Sequence, residues 1–210
     1  LLINFFGKTT RHCKRERNMK FILVLVLSIH SIFAVDLKEG DILFQETGGE
    51  QGKAIKLATK SRYTHVGIVL EYNGKLMILE AVGPVKKTNL KDFIKRGIKG
   101  HYVVKRLKDS ESKLSTEKIL KLKESGEKFL GLPYDIYFGW QNDRIYCTEL
   151  VWKMYKEVLE LELGKLGKLK DFDLSSFSVR LLMFKRYGLN VPYNEPVIAP
   201  STMFDSVELE

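Results

Sequence analysis

The sequence contains few of the residues that bind metals or form disulfides, with only two cysteines and four histidines among its 210 residues. It also lacks a C-x-x-C pair, an H-E-x-x-H motif and a glycine-rich phosphate loop. These absences argue against a zinc protein, a dithiol redox protein and a nucleotide-binding enzyme, so we expect neither a metal nor an organic cofactor. No internal repeat divides the chain, and its length favours a single domain after the leader described below.

Basic side chains are distributed unevenly along the chain, whose net charge is +9. Residues 1–34 contain six basic side chains and one acidic one, which leaves 29 basic and 25 acidic side chains, a net charge of +4, for residues 35–210. A mild excess of this kind suits a solvated surface or an anionic cell envelope. It is weak support for nucleic-acid binding, and we expect no nucleic-acid partner.

Residues 1–34 have the pattern of an upstream extension followed by a secretory signal peptide. Met19 and Lys20 precede a short apolar run over residues 21–27, and the small residue Ala34 follows at the predicted cleavage site. Because the run is short for a membrane span, we expect cleavage near Ala34 and export to the periplasm or the medium. An uncleaved anchor is the alternative. Residues 35–210 then form the mature domain, with no stable membrane span.

Cys147 is the one cysteine expected in the mature chain, since Cys13 lies in the leader. A single unpaired thiol is unusual in an exported protein and indicates either an intermolecular bond or a reactive group. Apolar residues after Cys147 recur with helical spacing, which predicts a helix beginning at or just after it. The positive end of this helix would favour the thiolate, although a buried, inert thiol is the alternative.

A strand over residues 64–72, the turn Asn73-Gly74 and a strand over residues 75–82 predict a hairpin with a type I′ turn. If the turn pairs Tyr72 with Lys75, His65 and Glu80 become diagonal neighbours on one face, ~7–8 Å apart at Cα. A slip of one residue would turn Glu80 to the other face. A carboxylate within an apolar strand should be paired, so we expect Glu80 to hold the His65 imidazole.

A nucleophilic cysteine needs a base to accept its proton and a third group to orient that base. His65 is preferred to His101 as the base because only His65 has a candidate carboxylate partner. Cys147, His65 and Glu80 are therefore the candidate catalytic residues, and an ordinary strand histidine is the alternative interpretation of His65.

Four segments, specific only in combination, are Thr64-His65-Val66-Gly67-Ile68-Val69, Ile78-Leu79-Glu80-Ala81, Gly131-Leu132-Pro133-Tyr134-Asp135 and Tyr146-Cys147-Thr148-Glu149-Leu150-Val151. Together they resemble the YiiX/YebB-like branch of the NlpC superfamily, which comprises circularly permuted papain-like cysteine peptidases and amidases. The resemblance extends from about Asp36 to the C-terminus. It implies an α+β fold in which an antiparallel sheet packs against the helix that carries the nucleophilic cysteine.

The resemblance also implies roles for individual residues: Cys147 as nucleophile, His65 as general base and acid, Glu80 as orienting residue and Tyr134 as a substrate-binding residue. The implied function is an exported cysteine amidase or peptidase that cleaves small peptide or amide substrates through a thioester, with cell-wall peptides as one candidate. A lipid acyltransferase or thioesterase of a related permuted branch is an alternative, although those relatives usually carry a second histidine where Glu80 stands. A non-catalytic peptide-binding protein is the other alternative.

Overall fold

The computed structural model describes residues 36–210. The predicted upstream extension, the signal peptide and Cys13 lie outside the described residues. In chain order the elements are β1 Ile42–Thr47, α1 Gly49–Thr59, β2 His65–Tyr72, β3 Lys75–Ala81, β4 Val85–Thr88, α2 Leu90–Arg96, β5 Gly97–Lys105, α3 Ser110–Lys113, α4 Thr116–Glu127, α5 Cys147–Leu159, β6 Gly167–Lys168, α6 Phe177–Tyr187, β7 Pro196–Val197 and α7 Pro200–Phe204. Over these residues, no helix combines the length and the apolar composition needed to cross a membrane.

Strands β1 to β5 form one antiparallel sheet with the order β4-β3-β2-β1-β5. The β2–β3 hairpin pairs Tyr72 with Lys75 and Ile68 with Leu79, which is the register predicted from the turn. Asn73 and Gly74 have φ values of 53° and 74°, and a type I′ turn requires positive φ at both of these positions. The turn chemistry therefore fixes which face of β3 carries each side chain.

The two faces of the sheet bury different elements. On one face Ile68 and Leu79 belong to the main core with Leu150 and Met154 of α5. On the other face, β1, β2 and β3 pack against Phe93 of α2. Side chains alternate along a strand, so His65 and Glu80 share the face that carries α2. The predicted α+β class, with an antiparallel sheet packed against the helix that begins at Cys147, is confirmed.

Short elements account for most differences from the sequence prediction. The prediction missed the short elements β4, α3, β6, β7 and α7, because a segment of two to five residues is too short to show a period. The sequence also predicts a short helix over residues 53–59, whereas the first helix of the structure spans Gly49–Thr59. The sequence predicts a strand over residues 101–107, but strand β5 covers Gly97–Lys105. A β-bulge in β1 lets Thr47 pair with Gly97.

Candidate active site

Cys147 is the first residue of α5, and the preceding Tyr146 has an extended backbone. The C-terminal segment holds this helix start in place. The Thr148 hydroxyl donates to the carbonyl of Ile198 at 2.6 Å, and the Ile198 N–H donates to the Tyr146 hydroxyl at 3.1 Å. The Glu149 carboxylate accepts the Tyr146 N–H at 3.3 Å, which caps the helix. The thiol therefore has a fixed backbone position.

His65 and Glu80 form a buried pair on neighbouring strands. The distance from His65 Nε2 to Glu80 Oε2 is 2.7 Å, and the Glu80 side chain is 0% exposed. Gly67 lets β3 approach closely next to this pair, since a Cβ there would lie 2.4 Å from Ile78 Cγ2 and 3.3 Å from Glu80 Cβ. With Nε2 bound to Glu80, Nδ1 is the ring nitrogen left for the Cys147 thiol.

Arg96, the last residue of α2, donates from Nη2 to Glu80 Oε1, the carboxylate oxygen that His65 does not use. One carboxylate therefore joins the imidazole to a guanidinium. Asn89 accepts the Asp92 N–H at 2.9 Å and caps the start of α2. Since α2 is capped at its start and packs on the sheet through Phe93, Arg96 has a defined position at the other end of the helix.

The pKa shifts at the site follow from burial and from mutual interaction. Burial alone would lower the pKa of His65, but interactions with Cys147 and Glu80 outweigh it and raise the pKa to about 9. Burial would raise the pKa of Cys147, but His65 and the N–H groups of Val66 and Thr148 outweigh it and lower the pKa. Burial opposes ionisation of Glu80 too, yet the hydrogen bond from His65 leaves the pKa of Glu80 lowered. These directions favour a thiolate–imidazolium pair next to an ionised carboxylate.

Tyr134 lies beside Cys147 because the residues on either side of it bind the backbone of Ile145. The Asp135 N–H donates to the Ile145 carbonyl, and the Ile145 N–H donates to the Pro133 carbonyl, each at 3.1 Å. Gln51 Nε2 donates to the Tyr134 hydroxyl at 2.9 Å. Burial, together with the charge of Cys147, raises the pKa of Tyr134 well above its usual value. The Tyr134 hydroxyl therefore stays protonated, and its own proton is free to be donated towards the thiol or a substrate.

Cys147 also lines an apolar cavity of about 90 Å³. Its walls come mainly from the facing sides of α1 and α6 and from the chain segments next to them. The apolar lining residues include Ala54, Ile55, Ala58, Phe172, Leu174, Val179, Leu182, Met183, Val197 and Ile198. The polar groups at the cavity include Tyr134 and Arg186, and Arg186 donates to Gln51 Oε1 at 2.7 Å. The cavity can accept an apolar group attached to a carbonyl that Cys147 attacks.

The structure brings together Cys147, His65, Glu80 and Tyr134, the four residues that the sequence singled out. Sequence reasoning did not identify Arg96 or Gln51 as parts of the site, and it did not identify the cavity. One signal was available, because a carboxylate buried in an apolar strand implies strong partners. The sequence predicts a helix capped by Thr88-Asn89 and running through Arg96, but only the packing of that helix on the sheet brings Arg96 to Glu80.

A thiol at a helix start, with an imidazole and a carboxylate on the adjoining sheet, defines a cysteine hydrolase of the papain-like class. A family model described as "Permuted papain-like amidase enzyme, YaeF/YiiX, C92 family" matches residues 36–210. The chain belongs to this family, and it is a cysteine hydrolase of the amidase and peptidase type.

Two relatives from Escherichia coli are similar over most of their length. The protein named "Uncharacterized protein YiiX" from strain K12 is 45% identical over 193 residues, covering 92% of this chain and 94% of the relative. A crystal structure described as metalloprotein yiiX from strain O157:H7 is 46% identical, with a TM-score of 0.78, and the match covers 82% of this chain and 94% of that one. In residues 36–210 of the present chain, no three His, Cys, Asp or Glu side chains are grouped so as to hold a metal ion.

Proposed function

We propose that Cys147, His65 and Glu80 are the catalytic triad of an exported cysteine amidase or peptidase that acts on small peptide or amide substrates. The observation that carries the proposal is the 2.7 Å contact between His65 and Glu80, with the ring's other nitrogen left for the thiol. The signal-peptide pattern before Ala34 supports export. The sequence motifs support placement in the wider NlpC superfamily, and cell-wall peptides are one candidate substrate.

The proposed reaction has two steps. The Cys147 thiolate attacks the amide carbonyl carbon, and the His65 imidazolium gives its proton to the nitrogen of the leaving amine as the C–N bond breaks. The products of this step are the free amine and a thioester on Cys147. His65 then takes a proton from water, whose oxygen attacks the thioester, and the C–S bond breaks to release the carboxylic acid and restore the thiolate. Glu80 holds the ring throughout.

Two donors are available for the oxyanion that forms during each step. The backbone N–H of Cys147 lies at the start of α5, where helical N–H groups have no partner within the helix. We assign the second donor to the Tyr134 hydroxyl, since Gln51 donates to its oxygen and leaves its proton free. This assignment gives Tyr134 a substrate-binding role through its contact with the carbonyl oxygen.

The triad is tested by the pH dependence of alkylation of Cys147 in a Cys13→Ala chain, measured with iodoacetamide. The His65 imidazolium stabilises the thiolate, so we expect the alkylation rate to rise at a pH below the usual thiol pKa of about 8.5. His65→Gln removes this stabilisation and leaves only the N–H groups of Val66 and Thr148 to oppose burial, which should move the rise to higher pH. His101→Gln is the matched control and should change nothing. Identical profiles for His65→Gln and its parent would remove His65 from the mechanism.

The cavity supports substrates that carry an apolar group on the acyl side of the amide. For a series of N-acyl anilides of increasing chain length, we expect kcat/KM to rise about fourfold per methylene until the cavity is filled. Ala58 lines the cavity, so Ala58→Phe should remove this gain while leaving the acetyl substrate nearly unaffected. Leu57→Phe, at a neighbouring position that does not line the cavity, is the control. If kcat/KM in the parent chain did not change with acyl chain length, the cavity would have no role in binding the acyl group.

Acyl transfer or thioester hydrolysis is the second candidate function, because the same cavity could hold a lipid acyl group. Amide hydrolysis, acyl transfer and thioester hydrolysis would all pass through an acyl thioester on Cys147. Product analysis separates them. Release of fatty acid from thioesters or vesicles, without cleavage of any amide in the series, would favour the lipid reaction over the amidase.

A further inference from the structure

Helix α6, Phe177–Tyr187, has two apolar sides. Its inner side lines the cavity through Val179, Leu182 and Met183. Its outer side presents Phe177, Leu181 and Phe184 to solvent, and the two phenylalanines are 74% and 60% exposed. These three positions follow the i, i+4, i+7 spacing of a single helical stripe. Single exposed apolar residues are ordinary on a protein surface, but a stripe with two aromatic rings marks a binding surface.

The exposed apolar character continues after the helix ends. Leu189 follows directly and is 92% exposed, and Tyr193 in the same loop is more than half exposed. We call Phe177, Leu181, Phe184, Leu189 and Tyr193 the outer apolar face. It is a convex helix with its following loop, so a flat or deformable partner fits it better than a protein that inserts a side chain.

The charged side chains of α6 itself have one sign, whereas the segment before the helix also carries the acidic Asp171 and Asp173. The charged side chains of α6 are Arg180, Lys185 and Arg186, all basic. Arg180 is exposed next to Leu181, whereas Lys185 pairs with the exposed Glu50 at 3.1 Å and Arg186 turns inward to Gln51. The exposed Lys170 lies close to the loop, since its N–H donates to the Tyr193 carbonyl at 3.0 Å. Arg180 and Lys170 would repel the same groups of a second copy but would attract anionic headgroups.

We propose that the outer apolar face docks on the surface of a bilayer that contains anionic phospholipids. Aromatic and aliphatic side chains on one side of a helix enter the boundary between headgroups and acyl chains, while neighbouring basic side chains contact the headgroups. Docking would place the cavity directly behind the membrane-bound helix. That consequence for substrate capture rests on the proposed function, whereas docking itself does not.

The test uses a tryptophan as a local reporter in the full chain. Phe184→Trp places an indole on the outer apolar face, and Val207→Trp places one at an exposed position near the C-terminus. With vesicles of 70% phosphatidylcholine and 30% phosphatidylglycerol, we expect a blue shift and quenching by brominated lipid for Phe184→Trp only. The shift should weaken with pure phosphatidylcholine and with Arg180→Glu. Both variants also contain the native Trp140 and Trp152, so the spectra of the parent chain are subtracted and each difference spectrum reports the added indole. An effect of the apolar run at residues 21–27 would be common to both reporters.

A second variant separates the surface from the chemistry. The double variant Phe177→Ser with Phe184→Ser should lower the fraction bound to mixed vesicles about tenfold or more. It should leave hydrolysis of a soluble acetyl anilide unchanged, since neither residue lines the cavity.

Equal blue shifts for both reporters, or none with either lipid, would overturn the docking proposal. A shift that grows with protein concentration without vesicles, with a dimer in light scattering, would assign the face to a second copy. Docking without hydrolysis would instead count against the proposed function.

Discussion

Replacing Cys147 with alanine is expected to lower kcat/KM for amide hydrolysis by about 10⁴-fold or more, because the proposed mechanism passes through a thioester on its sulfur. Cys147→Ala should also prevent formation of the acyl-enzyme, which mass spectrometry of the intact chain detects as the added mass of the acyl group. The cavity and the His65–Glu80 pair stay in place, so substrate binding measured by calorimetry should change little.

The matched control is Cys13→Ala, which removes the other thiol of the chain and should keep full activity. A titration of the His65 ring by NMR gives an independent readout. Interaction with Cys147 is a large part of what raises the pKa of His65 to about 9, against the lowering effect of burial. We therefore expect the pKa of His65 to fall in Cys147→Ala. Acyl-enzyme formation in Cys147→Ala would assign the chemistry to another residue.

The core of the candidate site was predictable because it depends on local rules. The Asn73-Gly74 turn specifies a two-residue connection, and that connection fixes the register of the whole hairpin. The register then decides that Glu80 faces the same side as His65 and not the opposite one. Helical spacing after Cys147 likewise placed the thiol at a helix start. These inferences needed only residues close together in the sequence.

The rest of the site depends on contacts between distant segments. The cavity forms where α1 meets α6, and Gln51 reaches both Tyr134 and Arg186 across it. The sequence predicts a helix in each of these regions, at residues 53–59 and 176–187, but it does not give the pair of faces that meet. The placement of Arg96 has the same origin, since it follows from the way α2 packs on the sheet. The shape and selectivity of the cavity therefore depend on tertiary packing, whereas the hairpin register of His65 and Glu80 and the helix start at Cys147 follow from local sequence patterns.

Glu80→Gln is expected to lower kcat by about 10²–10⁴-fold with little change in KM, although the replacement is nearly isosteric. The reason is the guanidinium of Arg96, which can only donate hydrogen bonds. Arg96 would bind the oxygen of the new side-chain amide and leave the NH₂ group of that amide facing His65 Nε2. The ring nitrogen must then accept a hydrogen bond, which places the ring's proton on Nδ1. A ring protonated there and unprotonated at Nε2 cannot take the thiol's proton.

Steady-state kinetics with an N-acyl anilide measure this effect, and Glu71→Gln, at an exposed position of the same hairpin, is the control. Arg96→Met gives the sharper comparison. Made in the Glu80→Gln chain, it frees the amide to turn its oxygen towards Nε2–H, so we expect kcat to recover in part. Made alone, it removes one partner of a buried carboxylate and should lower kcat. A carboxylate that acted only through its negative charge would give no recovery in the double variant, because the amide that replaces it is neutral in either orientation. Recovery would therefore show that Glu80 acts by setting the position of the ring's proton.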